Sequence, residues 1–194
     1  MEKLDLADED HVGVAHYRRH FSTSKKATTL DKAISGAELK GIIANQKGNI
    51  IFATPSRTYV ESIEDHYIHS LKGYEEIHKK DIERLKKSIH KNSPSYDGAA
   101  KKVLEGRTAH MLNMFIMDAR NFSAYCEWLF PVINGVVVMS KDREDQRRYA
   151  GALSEFCLDI WANAHGVTVK ELQLLETEKV SFFKRVVGYI KRKL

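Results

Sequence analysis

Four side chains rich in hydrogen-bond donors, His16-Tyr17-Arg18-Arg19, follow directly after a short apolar run at residues 12–15. The run predicts a buried strand, and ligands of open α/β sheets bind outside the carboxyl ends of strands. Two adjacent arginines there suit a diphosphate, because the planar guanidinium matches paired phosphate oxygens. The sequence therefore predicts an anion site. In the structural alternative, His16 and Arg18 bond within the fold and Arg19 is solvated.

The backbone must turn if all four residues are to act together. Side chains alternate along a strand, so His16 would share one face with Arg18, and Tyr17 would share the other with Arg19. A turn directly after the strand would remove this restriction.

A second polar group lies at residues 61–69, which include Glu61, Asp65, His66 and His69. The two histidines stand three apart, as metal ligands on one helix turn can. The chain has no HExxH pattern, and Cys126 and Cys157 are distant along the sequence. Hydrogen bonds to sugar hydroxyls, or plain surface polarity, are therefore favoured over a metal site, and no metal ligands are predicted.

Two further polar residues interrupt apolar segments. Glu155 lies on a predicted helix beside Gly151 and Ala152, whose small side chains would let a ligand approach. Asn113 stands at the head of an apolar strand, where it could bond the local backbone or a ligand hydroxyl. For Glu155 the alternative is an exposed glutamate on a solvated face, which its spacing alone favours.

Strands and helices alternate along the chain, which predicts an α/β fold with a mainly parallel sheet flanked by helices. On the helix at 122–133 we expect Phe122, Cys126, Leu129 and Phe130 to face inward. The predicted strands cover residues 12–15, 49–53, 109–117 and 167–175, and the predicted helices cover 35–44, 74–91, 96–104, 122–133 and 146–164.

The charge of the chain is concentrated at its end. The 194 residues carry a net charge of +5, but six basic residues and no acidic residue lie at 179–194. The rest is near neutral, which argues against nucleic acid as a partner. Residues 1–178 are predicted to form one domain, and 179–194 a basic amphipathic helix. That helix could lie on an anionic membrane surface or pack on the domain.

No apolar run of bilayer-spanning length is seen, and the acidic N-terminus lacks the apolar stretch of a signal peptide. We therefore expect a cytoplasmic protein, with peripheral attachment to the inner face of the cell membrane as an open alternative.

Three sequence blocks together resemble a bacterial glycosyltransferase family of capsule and O-antigen clusters, formerly a domain of unknown function, which includes galactofuranosyltransferase domains. The first block is residues 12–21, around His-Tyr-Arg-Arg. The second is 110–117 followed by 125–130, which read HMLNMFIM and YCEWLF. The third is Arg148 with residues 151–155, and a weaker block covers 65–69.

The resemblance implies a GT-A-like fold and a nucleotide-sugar donor, UDP-linked and with galactofuranose as a candidate sugar. It implies transfer to a capsular or lipopolysaccharide glycan, with no certain cofactor and the divalent metal left open. His16, Tyr17, Arg18 and Arg19 would hold the donor diphosphate. Glu155 is the first candidate for the catalytic base and Asp65 the second. Sugar or acceptor contacts are assigned to His66, His69, His110 and Asn113.

The chain also departs from the family pattern. Typical members carry an N-terminal segment before the His-Tyr-Arg-Arg strand, and this chain starts almost at that strand. We therefore expect an incomplete GT-A-like domain. A non-catalytic member that docks on a membrane or a partner is the alternative function.

Overall fold

The computed structural model describes residues 6–25, 29–45, 50–70, 77–143 and 148–176. The predicted helix at 179–194 lies outside these residues. The strands are β1 (His11–Val14), β2 (Arg19–Ser22), β3 (Ile50–Ala53), β4 (Ser56–Arg57), β5 (Thr108–Ala109), β6 (Phe115–Asp118) and β7 (Val169–Glu176). The α-helices are α1 (Gly36–Ala44), α2 (Ile63–Ser70), α3 (Lys79–Asn92), α4 (Asp97–Leu104), α5 (Ala119–Met139) and α6 (Tyr149–His165).

Five strands form the main sheet in the order β1-β6-β3-β7-β2, and β4 pairs with β5 beside it. In the main sheet only β3 and β7 pair in parallel, while the other three described pairs are antiparallel. The prediction of a mainly parallel sheet is therefore wrong for the described residues. One physical reason is that two helices, α5 and α6, lie between β6 and β7. The chain therefore re-enters the sheet in the direction opposite to β6.

The sheet is curled. Strands β1 and β2 form its two edges, yet they are consecutive in sequence. A tight turn joins them and contains an antiparallel bridge between His16 and Arg19. Because the connection is so short, the ends of the two edge strands must lie close together.

Both faces of the sheet are covered, as the all-apolar strand β3 requires. Ile50 and Phe52 face a large core formed with helices α2 to α6. Ile51 and Ala53 face a smaller core, covered by apolar residues of α1. Helix α1 begins with a reciprocal capping box, in which Ser35 and Glu38 bond each other's backbone N–H groups.

Helix α5 buries a stripe that overlaps only in part with the one predicted: Phe122 and Leu129 pack against the large core, but they are only partly buried. Tyr125, Trp128, Val132 and Val136 are buried, whereas Phe130 is 65% exposed. The helix is apolar nearly all round, so its packing against α3 and α6, rather than its own pattern, selects the inner face. By length and composition alone α5 could also cross a bilayer; 22% of its most apolar window is buried, by the stripe that packs in the large core.

The strand predicted at 109–117 is divided. β5 ends at Ala109 and β6 begins at Phe115, and the residues between them form a loop. Leu112 and Asn113 in this loop have φ angles of 87° and 50°. A strand cannot continue through such angles, because they lie on the opposite side of the Ramachandran map from β structure.

Candidate functional site

A cavity of about 490 Å³ lies where the β1–β2 turn, β4, α2, the loop after β5 and the start of α6 meet. Its walls are mainly polar and carry four arginines and one carboxylate. The lining residues are His16, Tyr17, Arg18, Arg19, Ser56, Arg57, Thr58, Ile63, His66, Tyr67, Met111, Leu112, Arg148, Ala152 and Glu155.

The β1–β2 turn brings all four residues of the His-Tyr-Arg-Arg motif to this cavity. The Arg19 backbone N–H donates to the His16 carbonyl oxygen over 3.1 Å, which closes the turn. The imidazole of His16 stacks on the Tyr17 ring with centroids 4.9 Å apart, and the Arg18 guanidinium lies 4.6 Å from the centroid of the same ring. The chain therefore turns at the position where alternation along a strand would have placed His16 and Arg18 on one face and Tyr17 and Arg19 on the other.

Two arginines from other elements join the motif at the cavity. Arg57 comes from the short strand β4, and Arg148 precedes the first residue of α6. Arg19 Nε lies 3.4 Å from Glu176 Oε1, at the end of β7. Arg57 has no ion-pair partner among the described residues. The cavity therefore has an excess of guanidinium groups, which suits a ligand with phosphate or carboxylate oxygens.

The carboxylate in the cavity is that of Glu155. It accepts a hydrogen bond from the Tyr67 hydroxyl, and the buried Tyr67 ring packs against Phe156 with centroids 4.5 Å apart. Ala152, one turn earlier on α6, also lines the cavity, so a small residue adjoins the carboxylate as predicted. Glu155 is therefore a carboxylate that Tyr67 holds in place at the cavity wall, beside a group of arginines.

Asp65, the second candidate for the base, does not line the cavity. Its carboxylate accepts a hydrogen bond from Ser62 Oγ over 2.7 Å, and its backbone N–H donates to the same oxygen over 3.1 Å. This reciprocal pair caps the start of α2. The structure therefore gives Asp65 a helix-capping contact, and its catalytic role stays a prediction that the geometry does not support.

His66 lines the cavity, whereas His69 does not. The Nδ1 atoms of both histidines lie 2.9 Å from oxygens of one carboxylate, that of Glu61. Burial alone would raise the pKa of Glu61, but the hydrogen bonds and charges of the two histidines lower it below its ordinary value. In the described parts of the chain, no three His, Cys, Asp or Glu residues are grouped so as to hold a metal ion.

His110 and Asn113 lie behind the cavity wall. His110 Nδ1 is 2.7 Å from Asp159 Oδ1, and its Nε2 is 3.3 Å from Glu171 Oε1. Burial alone would lower the pKa of His110, but the two carboxylates raise it. Asn113 Nδ2 donates to Ser154 Oγ over 2.8 Å. Both residues therefore bond the fold, and their predicted sugar contacts have no support in the geometry.

Comparison with known proteins places the chain in a family. Residues 4–166 match a family model described as a domain of unknown function, DUF4422. The chain belongs to this family. Among solved structures, this DUF4422 chain is similar to one described as the apo structure of WbbM, a bifunctional glycosyltransferase, with 23% sequence identity and a TM-score of 0.68. A search of curated proteins finds no match.

The structural match covers 90% of the DUF4422 chain and 34% of the WbbM chain, so this chain spans about a third of the length of the structure it matches. At this identity the similarity shows a shared mixed α/β fold. The family membership of the chain rests on the DUF4422 match, and the structural similarity adds a fold that the chain shares with part of a glycosyltransferase. The particular signature blocks and the missing N-terminal segment stay predictions.

Sequence reasoning on the DUF4422 chain missed three lining residues that can act on a ligand: Arg57, Tyr67 and Arg148. Each had a signal. Arg57 follows the strand at residues 49–53 as part of a polar strand end, Tyr67 stands between two histidines, and Arg148 belongs to a block of the family resemblance. What the sequence did not show is that these segments meet at one cavity.

Proposed function

We propose that the chain is a glycosyltransferase that transfers the sugar of a nucleoside-diphosphate-sugar donor to a hydroxyl group of a glycan. The observation that carries this proposal is the convergence of four arginines and one carboxylate on a single cavity of about 490 Å³. That volume lies within the range of roughly 300–1,000 Å³ typical of small-molecule sites. The similarity to the fold of a glycosyltransferase supports the reaction class.

In the proposed reaction the arginines hold the donor diphosphate and stabilise its charge as it leaves. The acceptor oxygen forms a bond to the anomeric carbon while the bond from that carbon to the phosphate oxygen breaks. The proton of the acceptor hydroxyl passes to the Glu155 carboxylate, and the electron pair of the broken bond stays on the diphosphate. Tyr67 fixes the carboxylate in place through its hydroxyl.

The family resemblance refines the substrates. It favours UDP as the nucleotide, galactofuranose as a candidate sugar, and a capsular or lipopolysaccharide glycan as acceptor. The excess of guanidinium groups supports the diphosphate part of this description. The choice of sugar and acceptor rests on the resemblance.

Titration calorimetry with UDP and a panel of UDP-sugars tests the proposal, together with an assay for sugar transfer and donor hydrolysis, with and without EDTA. We expect the wild type to bind UDP-sugars. Arg18→Ala should raise the Kd of the UDP-sugar by roughly tenfold or more, since one hydrogen bond to a charged group contributes about 1.5–3 kcal/mol. The EDTA arm decides whether a divalent ion takes part. If Arg18→Ala keeps the donor affinity and the transfer rate, Arg18 has no part in holding the diphosphate.

A non-catalytic docking module is the second candidate function, because α5 exposes large apolar residues. Phe130 is 65% exposed and Val138 is 54% exposed on that helix. Exposed apolar patches mark surfaces that bind partners or membranes. A chain that sediments with liposomes or a partner but binds no nucleotide sugar would favour this function. A variant without residues 179–194 tests whether the basic tail makes the membrane contact.

A further inference from the structure

Glu61 connects the two histidines of α2 through both of its oxygens. Oε1 lies 2.9 Å from His66 Nδ1, and Oε2 lies 2.9 Å from His69 Nδ1. An ionised carboxylate can only accept hydrogen bonds, so each Nδ1 must carry a proton. A neutral His66 therefore has an unprotonated Nε2.

The cavity wall shows which edge of the His66 ring meets a ligand. His66 lines the cavity, but neither Glu61 nor His69 does. The Nδ1 edge is turned towards Glu61, so the Nε2 edge is the one available to the cavity. The His66 side chain is 42% exposed and that of Glu61 is 21% exposed, so the carboxylate lies deeper than the ring that it holds.

The same geometry argues against a metal held by the two histidines. Their Nδ1 atoms converge on one carboxylate, which turns both Nε2 edges away from the point of convergence. Among the residues described, no group of three His, Cys, Asp or Glu side chains is arranged so that it could hold a metal ion.

We propose that Glu61 is a positioning residue that orients His66 so that Nε2 accepts a hydrogen bond from a sugar hydroxyl in the cavity. This inference rests on the proposed function, and it specifies which part of the substrate, the sugar, contacts the cavity wall at His66. In the neutral ring Nε2 has no proton and cannot donate to a phosphate oxygen, so we assign this wall of the cavity to a sugar and the arginines to the diphosphate. His69 is then a second anchor for Glu61 and makes no sugar contact itself.

The orientation is tested first in the unliganded protein by ¹⁵N NMR of the histidine rings. We expect His66 and His69 to hold the Nδ1–H tautomer in the wild type. In Glu61→Gln the amide offers only one oxygen, so at least one of the two rings should change tautomer. Glu64→Gln is the matched control. It removes a neighbouring carboxylate of α2 that pairs with Lys86 outside the cavity, so the tautomers of His66 and His69 should not change.

The sugar contact is tested by comparing UDP with a UDP-sugar and a glycan acceptor. Glu61→Gln should weaken the Kd or KM of one sugar-bearing substrate by roughly three- to tenfold, the effect of one neutral hydrogen bond, and leave UDP affinity unchanged. In a His66→Ala background, Glu61→Gln should have no further effect, because Glu61 acts through His66.

Three results would overturn the inference. In the first, NMR finds the Nε2–H tautomer of His66 in the wild type. In the second, Glu61→Gln lowers the affinity for UDP as much as the affinity for the UDP-sugar. In the third, Glu61→Gln weakens substrate binding as much in the His66→Ala background as in the wild type. If the wild type binds no nucleotide sugar, the proposed function and the sugar contact are both refuted. The NMR result would still decide whether Glu61 orients the ring.

Discussion

Replacing Arg57 by alanine should weaken diphosphate binding more than replacing Arg19. Both residues line the cavity, but Arg19 already lies 3.4 Å from Glu176, whereas Arg57 has no such partner in the described part of the chain. A hydrogen bond to a charged group contributes about 1.5–3 kcal/mol. We therefore expect Arg57→Ala to raise the Kd of UDP roughly 10- to 150-fold.

The smaller effect of Arg19→Ala follows from its ion pair. Arg19 must give up part of its interaction with Glu176 to bind a phosphate, and such a half-exposed pair is worth about 0–1 kcal/mol. The loss of UDP affinity in Arg19→Ala should therefore be smaller by a factor of up to about five. Arg57→Lys should fall between the wild type and Arg57→Ala, because it keeps the charge and loses the planar fork.

Calorimetric titration with UDP at a fixed salt concentration measures these differences. Arg120→Ala is the control, because Arg120 is exposed, pairs with Asp8 and lies outside the cavity. Its UDP affinity should match that of the wild type. The reasoning is refuted if folded Arg57→Ala protein binds UDP within about twofold of the wild type, or if Arg19→Ala loses clearly more affinity than Arg57→Ala.

Three further predictions concern catalysis and stability. Glu155→Gln should lower kcat by roughly 10²–10⁴-fold and leave UDP affinity nearly unchanged; steady-state kinetics that show a rise in KM alone would contradict this. Asp81→Asn should cost about 3–5 kcal/mol in urea unfolding, because the fully buried Asp81 carboxylate pairs with Arg143. Asp97→Asn, in an exposed pair, is the control, with an expected cost below about 1 kcal/mol. The raised pKa of His110 means that its stabilisation is full below the ordinary value of 6.5 and is lost as the pH rises through the higher folded value. His110→Asn should therefore be destabilised relative to the wild type at about pH 6 and less so at about pH 9, and an equal difference in unfolding midpoint at both would refute the assignment.

Local signals in the sequence predicted the elements that a local pattern determines. The capping box of Ser35 and Glu38 lies at the start of α1, and Gly166, with a φ of +60°, ends α6. The apolar run of β3 is buried on both faces, as its composition indicates. Each of these features depends on residues within a few positions of each other.

Features that depend on distant parts of the chain could not be predicted in this way. Strand direction depends on how α5 and α6 return the chain to the sheet. The inner face of α5 depends on the neighbouring elements, which cover Trp128 and leave Phe130 exposed although both residues are apolar. Arg57 and Glu155 are about a hundred positions apart in sequence and become parts of one site only through the tertiary fold.

Backbone strain is concentrated at the candidate site. In the described residues, the non-glycine positions with positive φ are Leu112, Asn113 and Arg148, and the first and last of these line the cavity. Such conformations cost about 1–3 kcal/mol each and persist only where the surroundings fix them. The strain is therefore evidence that the position of these residues is under constraint.

The constraint on the loop comes from α6, the helix that carries Glu155. His110 bonds Asp159 through its ring, and its backbone N–H donates to the other Asp159 oxygen over 2.6 Å. Asn113 bonds Ser154, the residue before Glu155. These bonds lie at either end of the segment that brings Met111 and Leu112 to the cavity. His110 and Asn113 thus act on the site by holding this wall at a fixed distance from the carboxylate. The family resemblance implied a sugar contact for them because a residue that holds a site in place and a residue that touches its ligand can lie in the same short sequence block.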